Sequence, residues 1–279
     1  MALAIEVAQN DVSLDYELSH SQGQFYFARE KAVALVTGYG GGKSFIAFFR
    51  CVMEALHIPG IRLGFYSTTY DLLKLNIIPR FTEFLDTIKE PHTLNKSENI
   101  IYLHSTKAQI IFRSLDNPDR LIGYEVCKSY FDELDTMDTD KAQDVWRKGR
   151  ARNRQKVFYK GRQVPNQMFV TTTPEGYKFV YKYFGKNDPA NDEYDPQIRL
   201  IQASSRENKH LPEDYITDLI KDYPSQLVEA YINGQFVNLT SGAVYYAFNR
   251  VDMDVSNIAD AERKQQHAEE IARQKARAL

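Results

Sequence analysis

Thr37-Gly38-Tyr39-Gly40-Gly41-Gly42-Lys43-Ser44 has the residue types and spacing to hold a phosphate. Glycines let the backbone curl so that its N–H groups converge on an anion, and a helix opening behind them adds its positive dipole end. Lys43 supplies a cation for β- and γ-phosphates, and Ser44 supplies a hydroxyl for Mg2+. The loop departs from the usual G-x-x-x-x-G-K-[ST] pattern at Thr37, which stands where the first glycine belongs. A second chemical pair, Asp132-Glu133, ends the run Val126-Cys127-Lys128-Ser129-Tyr130-Phe131. There the aspartate can hold a metal shell while the glutamate orients and deprotonates an attacking water. Thr171, Thr172 and Thr173 close a third apolar run ahead of Pro174-Glu175-Gly176. Hydroxyls at a buried strand end are costly unless hydrogen-bonded, which invites a role beside the γ-phosphate or its water. Upstream, the Gln22 amide, with Gln24 as second choice, can both donate to and accept from an adenine edge.

These groups need elements to place them. Val33 to Val36 reads as a strand and residues 43–57 as a helix ended by Pro59-Gly60, the context a phosphate loop requires. Ile61 to Ser67 reads as the next strand, and Tyr70 to Lys89 has helical periodicity with a kink expected at Pro79. Ile100–His104 and Gln109–Phe112 form a hairpin around Ser105-Thr106-Lys107, and Ser114 to Glu125 reads as a loop. Val126–Asp132, Gln167–Thr173 and Ile198–Gln202 are further strands, the first two with chemistry at the carboxyl end, where open α/β sheets bind ligands. Pro212 suits the first turn of a helix through Asp222, and Ser225–Tyr231 reads as a second short helix. Ala243–Phe248 reads as a late strand, and Ile258–Leu279 as a surface helix without a strong apolar stripe.

Composition sets bounds. With 279 residues, 43% hydrophobic and 26% charged, the chain suits one large α/β domain, alone or with a small appendage. No apolar run approaches the ~20 residues of a membrane span, and the N-terminus lacks the basic start of a secretory signal. Cys51 and Cys127 are too few for a disulfide framework and fit a reducing compartment. The histidines show no H-x-x-H spacing and carry no metal expectation. Net charge is −2, so contact with polyanions must come from a local patch. One exists: Arg147, Lys148, Arg150, Arg152, Arg154, Lys156, Lys160 and Arg162, with no acidic residue between Asp144 and Glu175. It suggests contact with phosphate, either of nucleic acid or of a nucleotide held by a neighbouring subunit.

From Leu18 to Phe248 the order of these pieces resembles the large terminase subunit of tailed bacteriophages. The resemblance is carried by the glutamine before the loop, TGYGGGKS, Asn95 to Phe112, SLDNPDRLIGYE, the FDE strand end and Trp146 to Arg152. It continues through TTTPEG, ASSRENKHLP and INGQFVNLTSGAVYYAF. It implies an α/β fold of the RecA-like, additional-strand (ASCE) P-loop ATPase type, with a mainly parallel central sheet flanked by helices. It implies ATP and Mg2+ as cofactors, with Gln22 and residues 37–44 at the nucleotide and Ser44 and Asp132 at the metal. Lys43 and Glu133 become catalytic, and Thr171 to Thr173 become the motif that senses the γ-phosphate and couples hydrolysis to DNA movement. The implied partners are double-stranded DNA, the portal protein of a procapsid, a small terminase subunit and further copies of the chain in a ring, in the bacterial host's cytoplasm.

A neighbour's arginine completes each site in such rings; Arg120 is the first candidate and Arg150 and Arg152 the next. Family members often carry an arginine in the phosphate loop where this chain has Tyr39, and a basic residue where it has Ile122. The family's RNase H-like nuclease begins shortly after the GAVYYAF-type segment, whereas residues 249–279 alone follow Phe248. The expectation is an ATPase domain over 1–240 with a small helical lid, a linker and tail over 241–279, and no nuclease activity. A helicase-like remodelling ATPase, or a non-enzymatic DNA- or portal-docking module with a degenerate site, are the alternatives.

Overall fold

In the computed structural model, residues 3–9 and 12–239 are described. The expected segments Ala243–Phe248 and Ile258–Leu279 lie outside them. A run of wholly buried strand residues makes a central sheet, because a strand covered on both faces must be apolar throughout. The sheet order is β12 (Ile198–Ala203), β3 (Ala32–Thr37), β11 (Gln167–Thr172), β8 (Lys128–Asp132), β4 (Arg62–Ser67), β7 (Gln109–Ser114), β6 (Ile100–Leu103) and β5 (His92–Asn95). The strands from β12 to β7 are parallel, and β6 and β5 add antiparallel to that edge. Two small hairpins stand apart from the sheet: β1 (Leu3–Gln9) with β2 (Val12–Leu18), and β9 (Phe158–Tyr159) with β10 (Arg162–Gln163). The expectations drawn from the sequence include neither β5 nor either hairpin, although Val12–Leu18 alternates apolar and polar residues as a half-buried strand does.

One adjacency decides the chemistry. β11 lies between β3, which feeds the glycine loop, and β8, which ends in the acidic pair. This is the additional strand that the resemblance implies. It brings Thr171 into register with Leu35 on one side and Asp132 on the other.

Helices cover both faces. α1 (His20–Phe27) and α2 (Lys43–His57) pack on one side, with α3 (Tyr70–Leu72) and α4 (Ile78–Thr87). α5 (Thr139–Arg152) and α6 (Phe179–Phe184) cover the other, with Trp146 against Phe131, Phe179 and Phe184. α7 (Tyr215–Asp222) and α8 (Ser225–Tyr231) lie by the glycine loop. Where a simple kink was expected at Pro79, a π-helical turn over Leu73–Ile77 precedes it. Widening that turn relieves the clash between the proline ring and the preceding carbonyls. Likewise Pro212 lies before its helix, which begins at Tyr215 behind Asp214.

Lys128 and Ser129 interrupt the apolar run of β8, and the packing explains why. Lys128 Nζ meets Glu54 Oε1 at 2.5 Å, Tyr130 donates to Glu54 Oε2 at 2.6 Å, and Arg50 reaches Glu54 at 3.3 Å. Arg50 also donates to the carbonyls of Phe25 and Ala28 and lies 4.0 Å from the Phe169 ring centroid. Burial alone would raise the Glu54 carboxyl; Lys128 and Arg50 outweigh it and hold the group below its usual range. The cluster fastens the helix behind the glycine loop to the strand that bears the acidic pair. Cys51, buried beside it, has its thiol pushed well up by burial, as an inert core residue should. Among the described residues, no helix is long and apolar enough to cross a membrane.

Candidate active site

The glycine loop leaves β3 at Thr37 and enters α2 at Lys43. Gly40 and Gly42 take positive φ, 75° and 76°, which only glycine adopts without strain. Gly38 is needed for a different reason, since a Cβ there would meet the Tyr231 carbonyl oxygen at 2.2 Å. Thr37 has no positive φ, so no glycine is required at that position. Its hydroxyl is buried, donates to the Gly38 carbonyl at 3.0 Å, and fills the space a Cβ on Gly41 would need.

Five of the expected residues converge at the carboxyl ends of β3, β8 and β11. Ser44 Oγ donates to Asp132 Oδ1 at 3.0 Å, and Thr171 Oγ1 donates to the same oxygen at 2.8 Å. Lys43 Nζ lies 3.1 Å from Glu133 Oε1 and 3.5 Å from the Gly38 carbonyl. Burial and the adjacent Glu133 charge raise the Asp132 carboxyl to about 6, against the hydrogen bonds from Thr171 and Ser44 and the charge of Lys43. Glu133 adopts φ 58°, the left-handed region, at a cost on the order of 1 kcal/mol. The turn folds its side chain back over β11, where the Thr173 N–H donates to Glu133 Oε2 at 3.1 Å. Its own N–H is held by the Thr171 carbonyl at 2.7 Å. The carboxylate is thus clamped by a backbone donor on one oxygen and by Lys43 on the other.

Thr172 does not join this group. Its hydroxyl accepts from the Asp135 N–H at 3.1 Å and donates to the Thr173 carbonyl. Asp135, legible in the sequence only as part of an acidic run, is fully buried and accepts from the N–H groups of Val180 and Glu175. It fixes the Thr-Pro-Glu-Gly turn that carries Thr173. Nothing but burial sets it apart from the solvated acids around it, which is why spacing did not find it.

Gln22 does reach the loop. Its Oε1 accepts from the Ser19 N–H at 3.0 Å, and its Nε2 donates to the Gly42 carbonyl at 3.3 Å. It borders a cleft of about 30 Å3 lined also by Ser19, Asn208, Lys209 and His210. Gln24 instead faces His20. Tyr39, where the resemblance implies an arginine, packs tilted against Tyr231 with centroids 4.8 Å apart, and its N–H donates to the Tyr231 carbonyl at 2.7 Å. Burial first, then the neighbouring Tyr231 and Glu175, push its hydroxyl up to about 12. Asn208 donates to the Gly40 carbonyl at 2.6 Å, so the loop is tied to the segment before α7 as well as to α8.

Among the arginine candidates, the structure describes the side chains of Arg150 and Arg152 and the backbone of Arg120. The backbone of Arg120 closes the short 3-10 turn Pro118–Arg120, and its side chain is outside the described structure. Arg150 donates to the Tyr183 hydroxyl beside a cleft lined by residues at the opposite, amino ends of β3, β11 and β12. Arg152 is half-buried, with its Nε unpartnered.

The donor set around Asp132 suits magnesium. A carboxylate and a serine hydroxyl are hard oxygens, and no cluster of three or more His, Cys, Asp or Glu occurs among the described residues. Mg2+ is bound in this way, through one or two carboxylates with phosphate oxygens and water making up its shell.

Comparison with curated proteins finds no matching sequence. Among solved structures, the large terminase of a thermophilic bacteriophage aligns with a TM-score of 0.65 at 16% identity, over 84% of this chain and 57% of its own. The ATPase domain of the Thermus phage P74-26 large terminase aligns at 0.64 and 16%, over 80% of this chain and 95% of that one. The HK97 bacteriophage large terminase aligns at 0.60 and 10%, over 82% and 53%. At such identities the likeness establishes the fold, a RecA-like α/β ATPase fold, and this chain spans little more than half of the longer terminases. A family model described as the terminase large subunit, T4likevirus-type, N-terminal, matches residues 35–252. That match takes in well over half of the sequence, and the chain belongs to this terminase large-subunit family.

Proposed function

We propose that this chain hydrolyses ATP with Mg2+ and uses the hydrolysis to drive double-stranded DNA into a procapsid. The observation that carries the reading is the joint placement of Lys43, Ser44, Asp132, Glu133 and Thr171 where β3, β11 and β8 end together. A thermophilic-phage relative of the same fold is known in complexes with ADP and with ATP-γ-S, which supports nucleotide as the ligand.

In this reading the loop amides and Lys43 receive the β- and γ-phosphates, and Ser44 and Asp132 would hold the magnesium ion. The ion would neutralise charge on the phosphate oxygens as the bond to the leaving ADP breaks. Glu133, fixed by the Thr173 N–H, takes the proton of the attacking water as the new P–O bond forms. A proton acceptor held on both oxygens loses little orientational freedom on reaching its working position. Gln22 keeps one acceptor lone pair and one N–H beyond its bonds to Ser19 and Gly42, enough to read an adenine edge. Thr171 links this chemistry to β11, and Thr172 through Asp135 links it to the turn that follows. Arg120, from a neighbouring copy in a ring, supplies further positive charge. The portal protein and a small terminase subunit are the partners this function requires, in the host cytoplasm. We place the motor within residues 1–240, with α7 and α8 as its lid.

Calorimetry with Mg2+ and ATP-γ-S tests the ligand. Wild type should bind and Lys43→Ala should lose binding at least tenfold; a wild-type chain that binds no nucleotide would refute the assignment. A duplex-unwinding assay separates a packaging motor, which leaves strands paired, from a helicase-like remodeller.

A further inference from the structure

Of the eight cations in the basic stretch, three on α5 stay apart from the rest: Arg150 bonds the Tyr183 hydroxyl, Arg152 is half-buried, and Arg147 is exposed with no carboxylate within salt-bridge reach among the described residues. Lys148 is paired with Asp119 and Asp144, and Arg154 with Glu125. Lys156, Lys160 and Arg162 are exposed and, among the described residues, have no carboxylate within salt-bridge reach. All three belong to the β9–β10 hairpin and the residues that lead into it.

The backbone of the hairpin is anchored to the domain at its base. Its two central residues, Lys160 and Gly161, take φ of 49° and 75°, the signs of a tight type I′ turn. Val157 and Val164 join across its base and bury in the core, with Tyr159 packed against them. Asn166 donates to the carbonyls of Cys127 and Gln155, and the Gln155 side chain in turn bonds the Arg62 N–H and the Gly60 carbonyl. Beside the cations, Phe158 is 67% exposed, an apolar residue facing outward. Next to the hairpin opens the cleft of about 570 Å3 that Gln163 and Asn166 share with Lys31 and Arg150; Asp195 also lines it. Cations without carboxylate partners on an anchored, exposed hairpin, with an apolar ring among them, match a phosphodiester backbone with its deoxyribose faces.

The chain path adds a reason for this site in particular. The hairpin runs through Pro165 and Asn166 directly into β11, the strand whose far end carries Thr171 beside Asp132. At about 3.3 Å per residue, the strand spans roughly 20 Å between the two. We infer that the Lys156–Gln163 hairpin is a contact surface for the phosphates of duplex DNA, joined to the nucleotide site by β11. The inference rests on the packaging-motor reading and names the surface through which that motor touches its cargo.

The test is fluorescence anisotropy of a labelled duplex oligonucleotide with the full chain, over a range of salt, for wild type and a Lys156→Gln, Lys160→Asn, Arg162→Gln variant. Asparagine tolerates the left-handed position of residue 160. Each lost phosphate contact lowers the log–log salt slope by about 0.9, so the variant's slope should fall by up to about 2.7, with at least roughly tenfold weaker binding at 100 mM salt. A control removing Lys74, Lys96 and Lys107, exposed on other elements, changes net charge equally and should hold affinity within about twofold. Unchanged binding by the hairpin variant, equal loss in the control, or no duplex binding by wild type would each overturn the inference. Basal ATP hydrolysis without DNA, measured on the same preparations, should match wild type and shows that the variant is folded. It also separates the two claims. Normal hydrolysis with hairpin-independent DNA binding refutes the surface alone; hairpin-dependent binding by a wild type that hydrolyses no ATP refutes the nucleotide reading alone.

Discussion

Glu133 shows how much of the site is decided within a single residue's surroundings. The left-handed backbone at 58° turns its carboxylate over β11, and the Thr173 N–H and Lys43 then hold its two oxygens. Thr173 therefore acts through its backbone, and Thr173→Ala should leave the N–H clamp in place and alter turnover by less than about threefold. Thr171 acts through its side chain. Thr171→Val keeps the strand shape but strips one hydrogen bond from the buried Asp132 oxygen. Leaving that acceptor short should cost about 1–3 kcal/mol, read as weaker magnesium-dependent nucleotide binding in calorimetry, with Thr171→Ser restoring most of it. A Thr171→Val chain that binds Mg2+ and ATP-γ-S as wild type does would remove the hydroxyl from the account. At this scale the sequence was informative for Lys43, Ser44, Asp132 and Glu133, whose types and neighbours announce their chemistry. It was silent on Asp135, because a buried aspartate and a solvated one look alike until packing separates them.

The elements hold these side chains through α2 and β8, and the Glu54 cluster is where the two are fastened. Removing Lys128 leaves a buried carboxylate with Arg50 as its remaining cation. Lys128→Met should therefore lower unfolding free energy by about 3 kcal/mol in urea titrations; a loss under 1 kcal/mol would contradict the packing described. Acid gives an independent check. Glu54 is held below its usual value in the folded chain, so it contributes stability above the ordinary carboxylate range and loses it as pH falls through and below that range. Acidification from pH 5 to pH 3 should cost wild type more unfolding free energy than it costs Glu54→Gln. Equal losses would mean that Glu54 is not depressed. The parallel strands were legible because each is a short apolar run bounded by turn residues. The β9–β10 hairpin was not, since its strands are only two residues long, whereas Val12–Leu18 alternates apolar and polar residues as a half-buried strand does and was legible although no expectation included it. Lys128 and Ser129 blurred β8 in the sequence for the reason that stabilises it: the partner that makes a buried lysine acceptable lies 74 residues away.

For the whole molecule, the sheet order carries the functional argument. Placing β11 between β3 and β8 gives the threonine strand contact with both halves of the nucleotide site, while its other end emerges at the basic hairpin. No local pattern encodes that order. The resemblance anticipated it, and the pairing of Thr171 with Leu35 and Asp132 displays it. If Arg120 serves a neighbour's site in a ring, mixtures of Arg120→Ala and Glu133→Gln chains should recover part of the hydrolysis that each lacks alone. No recovery at any ratio, under conditions where the chains are shown to associate, would dismiss Arg120 as the shared arginine. The most direct measurement is steady-state phosphate release by the full chain with Mg2+ and ATP, comparing wild type with Glu133→Gln. Removing a general base should lower turnover by at least about 100-fold while nucleotide affinity stays within a few-fold. Equal turnover in the two chains would contradict the account at its centre.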